Sequence, residues 1–306
     1  MALAVAVTAI WGVNFVAIET GLDHFPPLMF NALRFTLAAF PALLFAGRPA
    51  APWRWIVATG LILGVVKFTL LFAGMAAGMP AGLSSLVLQS QPIFTVLFAT
   101  LLLRERPRRT QVIGLLVALA GIGVVATGMT AGLGAFLLII GAAAAWGLSN
   151  IVTRKAAPPD TLRFMIWVSA VASGPLILLS LLVDGPSTDL AALRAIDTQA
   201  ILAVLYVALL STLVGFAAWG FLLRRYGPAT VAPFSMLVPF FGLASAALLL
   251  NEQITAIDAL GGALVIGGIV LGLTRVRPAR AGQAPTFASA ASTVRAPEES
   301  PAYQGR

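Results

Sequence analysis

The sequence contains no cysteine and only one histidine, His24. Without cysteine there is no disulfide framework, no thiolate nucleophile and no thiolate metal site. One histidine cannot form a multi-histidine metal site, and His24 lies in a predicted loop while the H-E-x-x-H and G-x-S-x-G motifs are missing, so a catalytic triad is not expected either. These absences disfavour an enzyme, and no metal or other cofactor is expected.

Charge is scarce as well. Charged residues make up 10% of the 306 residues and hydrophobic residues 59%, and the mean hydropathy is +0.97. A water-soluble domain needs about a quarter of its residues charged, so most of this surface must face lipid. The net charge of +8 would indicate nucleic acid in a soluble protein. In a membrane protein it indicates basic cytoplasmic loops, and no nucleic-acid partner is expected.

Ten apolar segments follow one another along the chain, each near the roughly 20 residues that a helix needs to cross a bilayer. They predict an all-α membrane protein with ten transmembrane helices. The first segment has no Lys or Arg before it, so we interpret it as a retained span and not as a cleavable signal. The predicted spans are residues 2–22, 27–46, 53–75, 79–103, 110–127, 132–152, 163–183, 198–222, 228–250 and 256–274.

The basic residues predict the orientation. With the N-terminus in the cytoplasm, the inner loops contain eleven basic residues and the outer loops contain Arg194 alone. This bias places both termini in the cytoplasm. Residues 275–306, rich in Ala, Pro and Ser, are predicted to form a disordered cytoplasmic tail. The inner-loop residues are Arg48, Arg54, Arg104, Arg106, Arg108, Arg109, Arg154, Lys155, Arg163, Arg224 and Arg225.

An internal repeat divides the chain into two halves of five spans, residues 1–127 and 132–274. The stretch "LLLRERPRR" (101–109) returns 147 residues later as "LLLNEQITAI", and "AIWGVN" (9–14) resembles "AAWGLS" (144–149) at a shift of 135. An odd number of spans inverts the second copy, and positive-inside selection then removes its arginines. The longer shift aligns Pro92 with Pro239, Phe94 with Phe241, Glu105 with Glu252, Gly114 with Gly261 and Gly121 with Gly268.

Two inverted five-helix repeats are typical of transporters that work by alternating access. The chain has no Walker motif, so it is not expected to use ATP. The expected partners are a small-molecule substrate and the lipid bilayer, with the protein a monomer or a homodimer.

Several stretches resemble the EamA family of the drug/metabolite transporter superfamily. They are "WGVNFVAI", "PPLMFNALRFTLAAFPALLFAGRP", "GMPAGLSSLVLQSQPIFTVL", "YGPATVAPFSMLVPFFGLASAALLLNE" and "LGGALVIGGIVL". The resemblance covers residues 1 to about 275. It implies a ten-helix inverted-repeat fold in the inner membrane and export of small amino-acid-like metabolites, of the cysteine and O-acetylserine type.

Charged and polar residues within the spans are the candidate binding groups, because each costs free energy in hydrocarbon. Arg34, Lys67 and Glu19 are all predicted in the outer half of the bilayer, with Asn14 nearer its middle. In the functional hypothesis, Arg34 or Lys67 meets a substrate carboxylate, and Glu19 meets an ammonium group or couples transport to protons. The alternatives are a structural Glu19–Arg34 or Glu19–Lys67 ion pair, and a Lys67 that extends towards the interface.

The fourth and ninth spans are predicted to break near the middle of the bilayer. Gln89 and Gln91 precede Pro92, and Ser235 precedes Pro239 at a comparable depth. Proline removes a helix hydrogen bond, and amides beside the break suit an uncharged or zwitterionic ligand. The alternative is that these amides only bond neighbouring helices.

Aromatic residues are the remaining candidates. Trp11 and Trp146 occupy matching positions of the two halves, where they either line the cavity or pack helices. Asn150 is a weaker binding candidate, Trp219 an interface aromatic and His24 a loop residue. A broad-specificity drug exporter, a nucleotide-sugar or other metabolite carrier, and a non-transporting structural or regulatory membrane protein remain as alternative functions.

Overall fold

The structure is a computed structural model that describes residues 1–49, 51–128 and 131–273, which belong to one compact unit. In these ranges the chain is helical and contains no strand. The predicted tail, residues 275–306, lies outside the described residues. The α-helices are α1 (Ala2–Leu22), α2 (Pro27–Ala46), α3 (Trp53–Thr59), α4 (Phe68–Ala76), α5 (Ala81–Val87), α6 (Gln91–Leu103), α7 (Arg109–Gly128), α8 (Leu133–Ala156), α9 (Thr161–Val183), α10 (Pro186–Arg194), α11 (Thr198–Leu205), α12 (Gly215–Tyr226), α13 (Pro228–Val231), α14 (Val238–Leu249) and α15 (Ala256–Leu273).

Eight continuous helical stretches of the described chain are long and apolar enough to cross a bilayer. This confirms an all-helical, multi-pass membrane protein. The last two predicted spans correspond to shorter apolar helices, Pro233–Leu249 and Ala256–Gly272. The eight stretches are Ala2–Leu22, Pro27–Ala46, Trp53–Ala76, Ala81–Leu103, Arg109–Gly128, Leu133–Ala156, Thr161–Val183 and Thr198–Tyr226.

Non-α segments interrupt four of the predicted spans. Spans three and eight contain the π-helical segments Gly60–Lys67 and Tyr206–Val214. Spans four and nine contain the 3₁₀ segments Leu88–Ser90 and Ala232–Leu237, each followed by an α-helix with proline in its first turn. Mid-helix π and 3₁₀ segments are often found at functional positions.

The repeated Leu-Leu-Leu stretches end their helices in the same way. Arg104 follows α6 with φ 55° and Asn251 follows α14 with φ 57°. The next amide then donates back into the helix, from Glu105 to the Ala99 carbonyl and from Glu252 to the Ala246 carbonyl, both at 3.3 Å. Such a left-handed residue satisfies carbonyls that the last helical turn leaves without donors. A shift of 147 residues takes Arg104 to Asn251, Glu105 to Glu252 and Ala99 to Ala246, so the two helix ends correspond residue by residue.

Glycines bring helix backbones into direct contact. A Cβ placed on Gly12 would lie 2.8 Å from the Gly242 nitrogen, and one on Gly147 would lie 2.8 Å from the Thr95 nitrogen. These contacts join α1 to α14 and α8 to α6. On α7 and α15, Gly114 meets Gly268 and Gly121 meets Gly261, so these two helices run antiparallel. In a bilayer, where lipid is as apolar as leucine, such close packing is a main source of helix association.

An aromatic core lies between α1, α2 and α4. Phe30, Phe35 and Phe72 are fully buried, with Phe68 in ring contact with both Phe35 and Phe72. The residues that face outward are equally apolar. Phe45 is 89% exposed and Leu248 is 80% exposed, which in a soluble protein would cost solubility but here is the surface that contacts lipid.

One element was not predicted. Helix α10 (Pro186–Arg194) occupies the predicted outer loop before span eight, and it has few apolar residues to produce a span-like signal. Its Asp189 accepts a 2.7 Å hydrogen bond from Ser180, which ties the short helix to the end of α9. Helix α10 lies between "AAWGLS", which repeats at a shift of 135, and "LLLNEQITAI", which repeats at a shift of 147. Its residues therefore lengthen the second half between these two stretches.

Candidate functional site

The two 3₁₀ segments meet through the side chain of Gln89. Its Nε2 donates a 3.4 Å hydrogen bond to the Ser235 carbonyl, so the break in span four is joined to the break in span nine. Gln89 is buried, with 8% of its surface exposed. Pro92 and Pro239 each lie in the first turn of the helix that follows. The structure therefore brings together Gln89 and Ser235, two of the predicted site residues.

Gln91 lies in a hydrogen-bonded network of its own. Its Oε1 accepts from Asn150 Nδ2 at 2.7 Å and from Thr95 Oγ1 at 3.2 Å. Asn150 Nδ2 also lies 3.1 Å from Thr95 Oγ1, which itself donates to the Gln91 carbonyl at 2.9 Å. These bonds connect α6 with α8. They favour the interpretation in which Gln91 and Asn150 hold helices together.

Arg34 and Lys67 are both buried, with 2% and 4% of their surfaces exposed. Arg34 Nε donates a 3.2 Å hydrogen bond to Thr212 Oγ1, in the second π-helical segment. Its Nη1 has no acceptor within the described residues. Lys67 is the last residue of the first π-helical segment, so each π segment contributes one residue to this group.

Aromatic rings surround the two cationic heads. Lys67 Nζ lies 3.4 Å from the centroid of the Phe68 ring, and Arg34 Cζ lies 3.9 Å from the same centroid. Lys67 Nζ is also 4.8 Å from the Trp146 ring. The cationic pair thus lies among spans two, three, six and eight, which come from both halves of the chain. Trp146 faces the pair as a wall residue of this group.

The ion pairs of Glu19 with Arg34 or Lys67, which were the structural alternative to substrate binding, do not form within the described residues. Within the described chain the salt bridges are His24–Asp197 and Arg154–Glu105, and neither Arg34 nor Lys67 meets a carboxylate. The charged groups that act on Glu19 are Glu252 and Asp23, both acidic. Depth in the bilayer alone could not distinguish partners, because it does not fix the direction in which each side chain leaves its helix.

Asn14 and Trp11 lie on the same helix, α1. Asn14 is 6% exposed and its Oδ1 has no donor within the described residues. Trp11 Nε1 donates to the Ser211 carbonyl at 3.1 Å, and its ring lies 5.1 Å from Trp219 and 5.6 Å from Phe216. Trp219 was predicted to be an interface aromatic, and in the structure its ring also packs on Trp11.

The two repeated glutamates have different partners. Glu105 forms an exposed ion pair with Arg154, with 2.8 Å between Oε1 and Nη2. Glu252 instead accepts from the first amides of α5, Ala81 N at 2.8 Å and Gly82 N at 3.0 Å. A carboxylate at a helix N-terminus satisfies amides that have no intrahelical acceptor and favours the helix dipole. Glu252 thereby holds the loop after span nine against the start of span four.

His24 connects two loops. Its Nδ1 donates to the Thr20 carbonyl at 2.8 Å, and its Nε2 lies 3.3 Å from Asp197 Oδ2. The hydrogen bond to Thr20 and, after it, the Asp197 carboxylate raise the pKa of His24 above its ordinary value. The amide of Ala200 and then His24 lower the pKa of Asp197. His24 is thus a connecting residue and not an isolated loop residue.

Sequence reasoning missed Thr212, Phe68 and Asn31. Thr212 is a polar residue in an apolar span, a signal that could have identified it. Asn31 is fully buried on α2, where its Nδ2 lies 3.4 Å from the Gly64 carbonyl and its Oδ1 has no donor in the described chain. Phe68 gives no such signal, because phenylalanine is common in every span.

Neither of two surface cavities contains the predicted site residues. One, of about 330 Å³, lies between α2 and α9 beside Phe45 and Arg163. The other, of about 520 Å³, is an apolar groove along α14 and α15. No group of three or more His, Asp or Glu side chains within the described residues is arranged to hold a metal ion.

Many apolar helices, with cations and amides buried where the two halves meet, define a multi-pass membrane transporter. The chain belongs to the EamA-like transporter family, which it matches over residues 1–127 and 133–274. It is a transporter and not an enzyme.

Named relatives and a solved structure agree with this family. The chain is 39% identical over 283 residues to a "Probable amino-acid metabolite efflux pump" of Escherichia coli K12, covering 90% of this chain and 95% of that protein. It is 28% identical over 272 residues to a "Probable terminal-alkyne amino-acid exporter" of Streptantibioticus cattleyicolor, covering 85% and 89%. A chain of known crystal structure, 20% identical, shares the fold with a TM-score of 0.59 over 88% of this chain and 94% of that one.

Proposed function

We propose that the protein exports small amino-acid-like metabolites, of the cysteine and O-acetylserine type, by alternating access. In this proposal, two inverted repeats of five spans, residues 1–127 and 132–274, enclose the binding site. The protein lies in a bacterial inner membrane with both termini in the cytoplasm. Gln89, Ser235, Arg34, Lys67, Asn14, Trp11 and Trp146 contribute to substrate binding, with Gln91 behind them, Glu19 as a possible coupling carboxylate and Pro92 and Pro239 breaking two helices.

The observation that carries the proposal is the reciprocal contact of α7 and α15. The 147-residue shift takes Gly114 to Gly261 and Gly121 to Gly268, and the observed contacts are Gly114–Gly268 and Gly121–Gly261. Exchanging the two halves therefore turns one contact into the other. Because the two helices run antiparallel, such an exchange requires a two-fold axis across them. That symmetry supports an inverted repeat.

Other contacts support the same symmetry. Gly12 packs on Phe241 and Gly242, while Gly147 packs on Phe94 and Thr95. The shift of 135 relates the two glycines, and the shift of 147 relates their partners. The π segments end at Lys67 and Val214, which the longer shift also relates. A transporter made of two equivalent halves can exchange their conformations and open to either side.

The relatives support the substrate class. The proteins of Escherichia coli K12 and Salmonella typhimurium, 39% and 38% identical to this chain, are both named as probable amino-acid metabolite efflux pumps. The buried cations disfavour a lipophilic-cation exporter, because a cationic substrate would meet like charges at Arg34 and Lys67.

Purified protein in liposomes tests the proposal. Liposomes preloaded with labelled cysteine, labelled O-acetylserine or a cationic dye are diluted, and efflux is measured. We expect the two amino acids to leave and the dye to stay. Gln89→Ala should reduce efflux without changing membrane insertion, whereas Gln199→Ala, at an exposed position, should leave it unchanged. No movement of any of the three solutes through wild-type protein would contradict the proposal.

A further inference from the structure

Arg34 and Lys67 carry positive charge into an apolar interior without a negative partner. Arg34 has one hydrogen bond from its Nε to Thr212, and its Nη1 has no acceptor in the described chain. Lys67 Nζ lies against the rings of Phe68 and Trp146 and has no hydrogen-bond partner in the part of the chain that the structure describes. The charged group that acts on Lys67 is Arg34, which is of the same sign. An uncompensated buried charge is strongly unfavourable, so a group of this kind needs a specific explanation.

The surrounding rings do not remove the need for a counter-charge. Phe68 lies under both cationic heads, at 3.9 Å from Arg34 Cζ and 3.4 Å from Lys67 Nζ. A cation–π contact offsets only part of the cost of placing an Arg or Lys in the bilayer, and two such groups also repel each other. The rings hold the two heads in place but supply no negative charge.

Four of the described carboxylates are engaged elsewhere. Glu252 and Asp258 accept hydrogen bonds at helix starts, Glu105 pairs with Arg154, and Asp197 meets His24. Glu19 is the acidic residue of a predicted span, and the charges that act on it are Glu252 and Asp23. The missing negative charge is therefore not supplied by these side chains.

We propose that Arg34 and Lys67 form an anion subsite that takes a metabolite carrying a carboxylate and a net negative charge, in preference to a zwitterion. A zwitterion brings one carboxylate but also an ammonium, which adds a third positive group near the first two. A metabolite with a blocked amino group brings the carboxylate alone. The assignment rests on the proposed export function and adds that N-acylated or dicarboxylic amino-acid derivatives bind more tightly than zwitterions such as cysteine.

Three compounds with one common side chain test the subsite. They are S-methylcysteine, its N-acetyl derivative, which has a carboxylate and no ammonium, and its carboxamide, which has an ammonium and no carboxylate. Each is used to stabilise purified wild-type protein against heat and to compete with labelled cysteine in liposomes. We expect the N-acetyl compound to act at lower concentration than the zwitterion, and the carboxamide to need at least about tenfold more. Equal effects of all three would overturn the proposal.

Charge-removing variants identify the residues. Arg34→Gln and Lys67→Gln should each lose most of the preference for the N-acetyl compound over the carboxamide. Arg34→Lys keeps the charge and should keep the preference. Arg48→Gln is the matched control, because Arg48 is exposed in a loop and its substitution removes the same charge away from the site. An undiminished preference in Arg34→Gln and Lys67→Gln overturns the assignment, and if one variant does not fold, the other decides.

The two readouts separate this inference from the proposed function. If wild-type protein moves no labelled cysteine but is stabilised selectively by the N-acetyl compound, export of cysteine is wrong and the anion subsite stands. If cysteine moves and the carboxamide competes as well as the N-acetyl compound, export stands and the subsite is wrong.

Discussion

Two groups of polar side chains lie inside the bundle, and they differ in how well their hydrogen bonds are satisfied. In the Gln91–Thr95–Asn150 network, the Gln91 Oε1 has two donors, and these bonds join or brace α6 and α8. In the Arg34–Lys67 pair, Arg34 Nε bonds to Thr212, and Lys67 Nζ has no hydrogen-bond partner within the described residues. Satisfied buried groups stabilise a fold, while unsatisfied ones cost stability. If the proposed anion subsite is correct, this difference separates groups that hold helices together from groups that bind substrate.

The largest expected effect comes from removing the unsatisfied charge. Arg34→Met should lower metabolite flux at least about tenfold, equivalent to roughly 1.4 kcal/mol. It should leave the melting temperature unchanged or raise it, because an uncompensated charge is replaced by an apolar side chain of similar length. Flux in liposomes and thermal unfolding in detergent measure both effects. A variant that loses stability but keeps its flux would place Arg34 with the structural groups.

Removing a member of the satisfied network should have the opposite pattern. Asn150→Leu deprives Gln91 Oε1 of its 2.7 Å donor and should destabilise the protein by about 0.6–1.7 kcal/mol, the range for hydrogen bonds between membrane helices. Asn14→Leu is the matched control, since Asn14 Oδ1 has no donor in the described chain. Thermal unfolding should show a smaller loss, or a gain, for Asn14→Leu. Equal losses would remove the distinction between the two groups.

The repeated glutamates extend the comparison to the loops. Glu252→Gln leaves one oxygen for the two amides of Ala81 and Gly82 and should cost about 1 kcal/mol, as the loss of a helix cap does. Glu105→Gln removes an exposed ion pair and should cost less than about 0.5 kcal/mol. The unfolding midpoints of the two variants, whose positions are related by the 147-residue shift, measure the difference in stability between the two contacts. A larger loss for Glu105→Gln would contradict it.

The smallest expected effect is the pH dependence of the His24–Asp197 contact. The raised pKa of His24 stabilises the fold below its ordinary 6.5, and this contribution is lost as pH rises through the raised value. The lowered pKa of Asp197 stabilises the fold above its ordinary 3.8, and this contribution is lost as pH falls through the lowered value. Wild-type protein should therefore melt slightly higher at about pH 6 than at about pH 8. His24→Gln should abolish this difference, and an unchanged difference would assign it to other groups.

Much of the architecture could be predicted because its causes are visible in single residues. The bounds of α1 and α2 follow from predominantly apolar runs that end at Asp23 and Gly47. The π segments could not be predicted, because changing from four- to five-residue hydrogen bonding does not change which residues are apolar. Helix α10 was missed because its sequence is polar. An amphipathic pattern of only nine residues is a weak signal.

The candidate site was predictable as a set of residues but not as a set of contacts. Arg34, Lys67, Gln89 and Asn14 could be found because polar residues are rare in spans. Their partners could not, because the rotation of each helix about its axis depends on packing against its neighbours. Arg34 is the clearest example, because the sequence left an ion pair with Glu19 open and Thr212 of a distant span provides the bond instead.

The close glycine contacts also restrict how the bundle can move. At Gly12 and Gly147 one backbone rests on another, so no side-chain rotation can make room for sliding. We expect helices in such contact to tilt together about the glycine contact. Gln89 and Ser235 lie in the 3₁₀ segments that precede α6 and α14, so their hydrogen bond connects the starts of the two glycine-packed pairs. In the proposed transport cycle, a small tilt at either glycine contact would become a larger displacement at the ends of the helices.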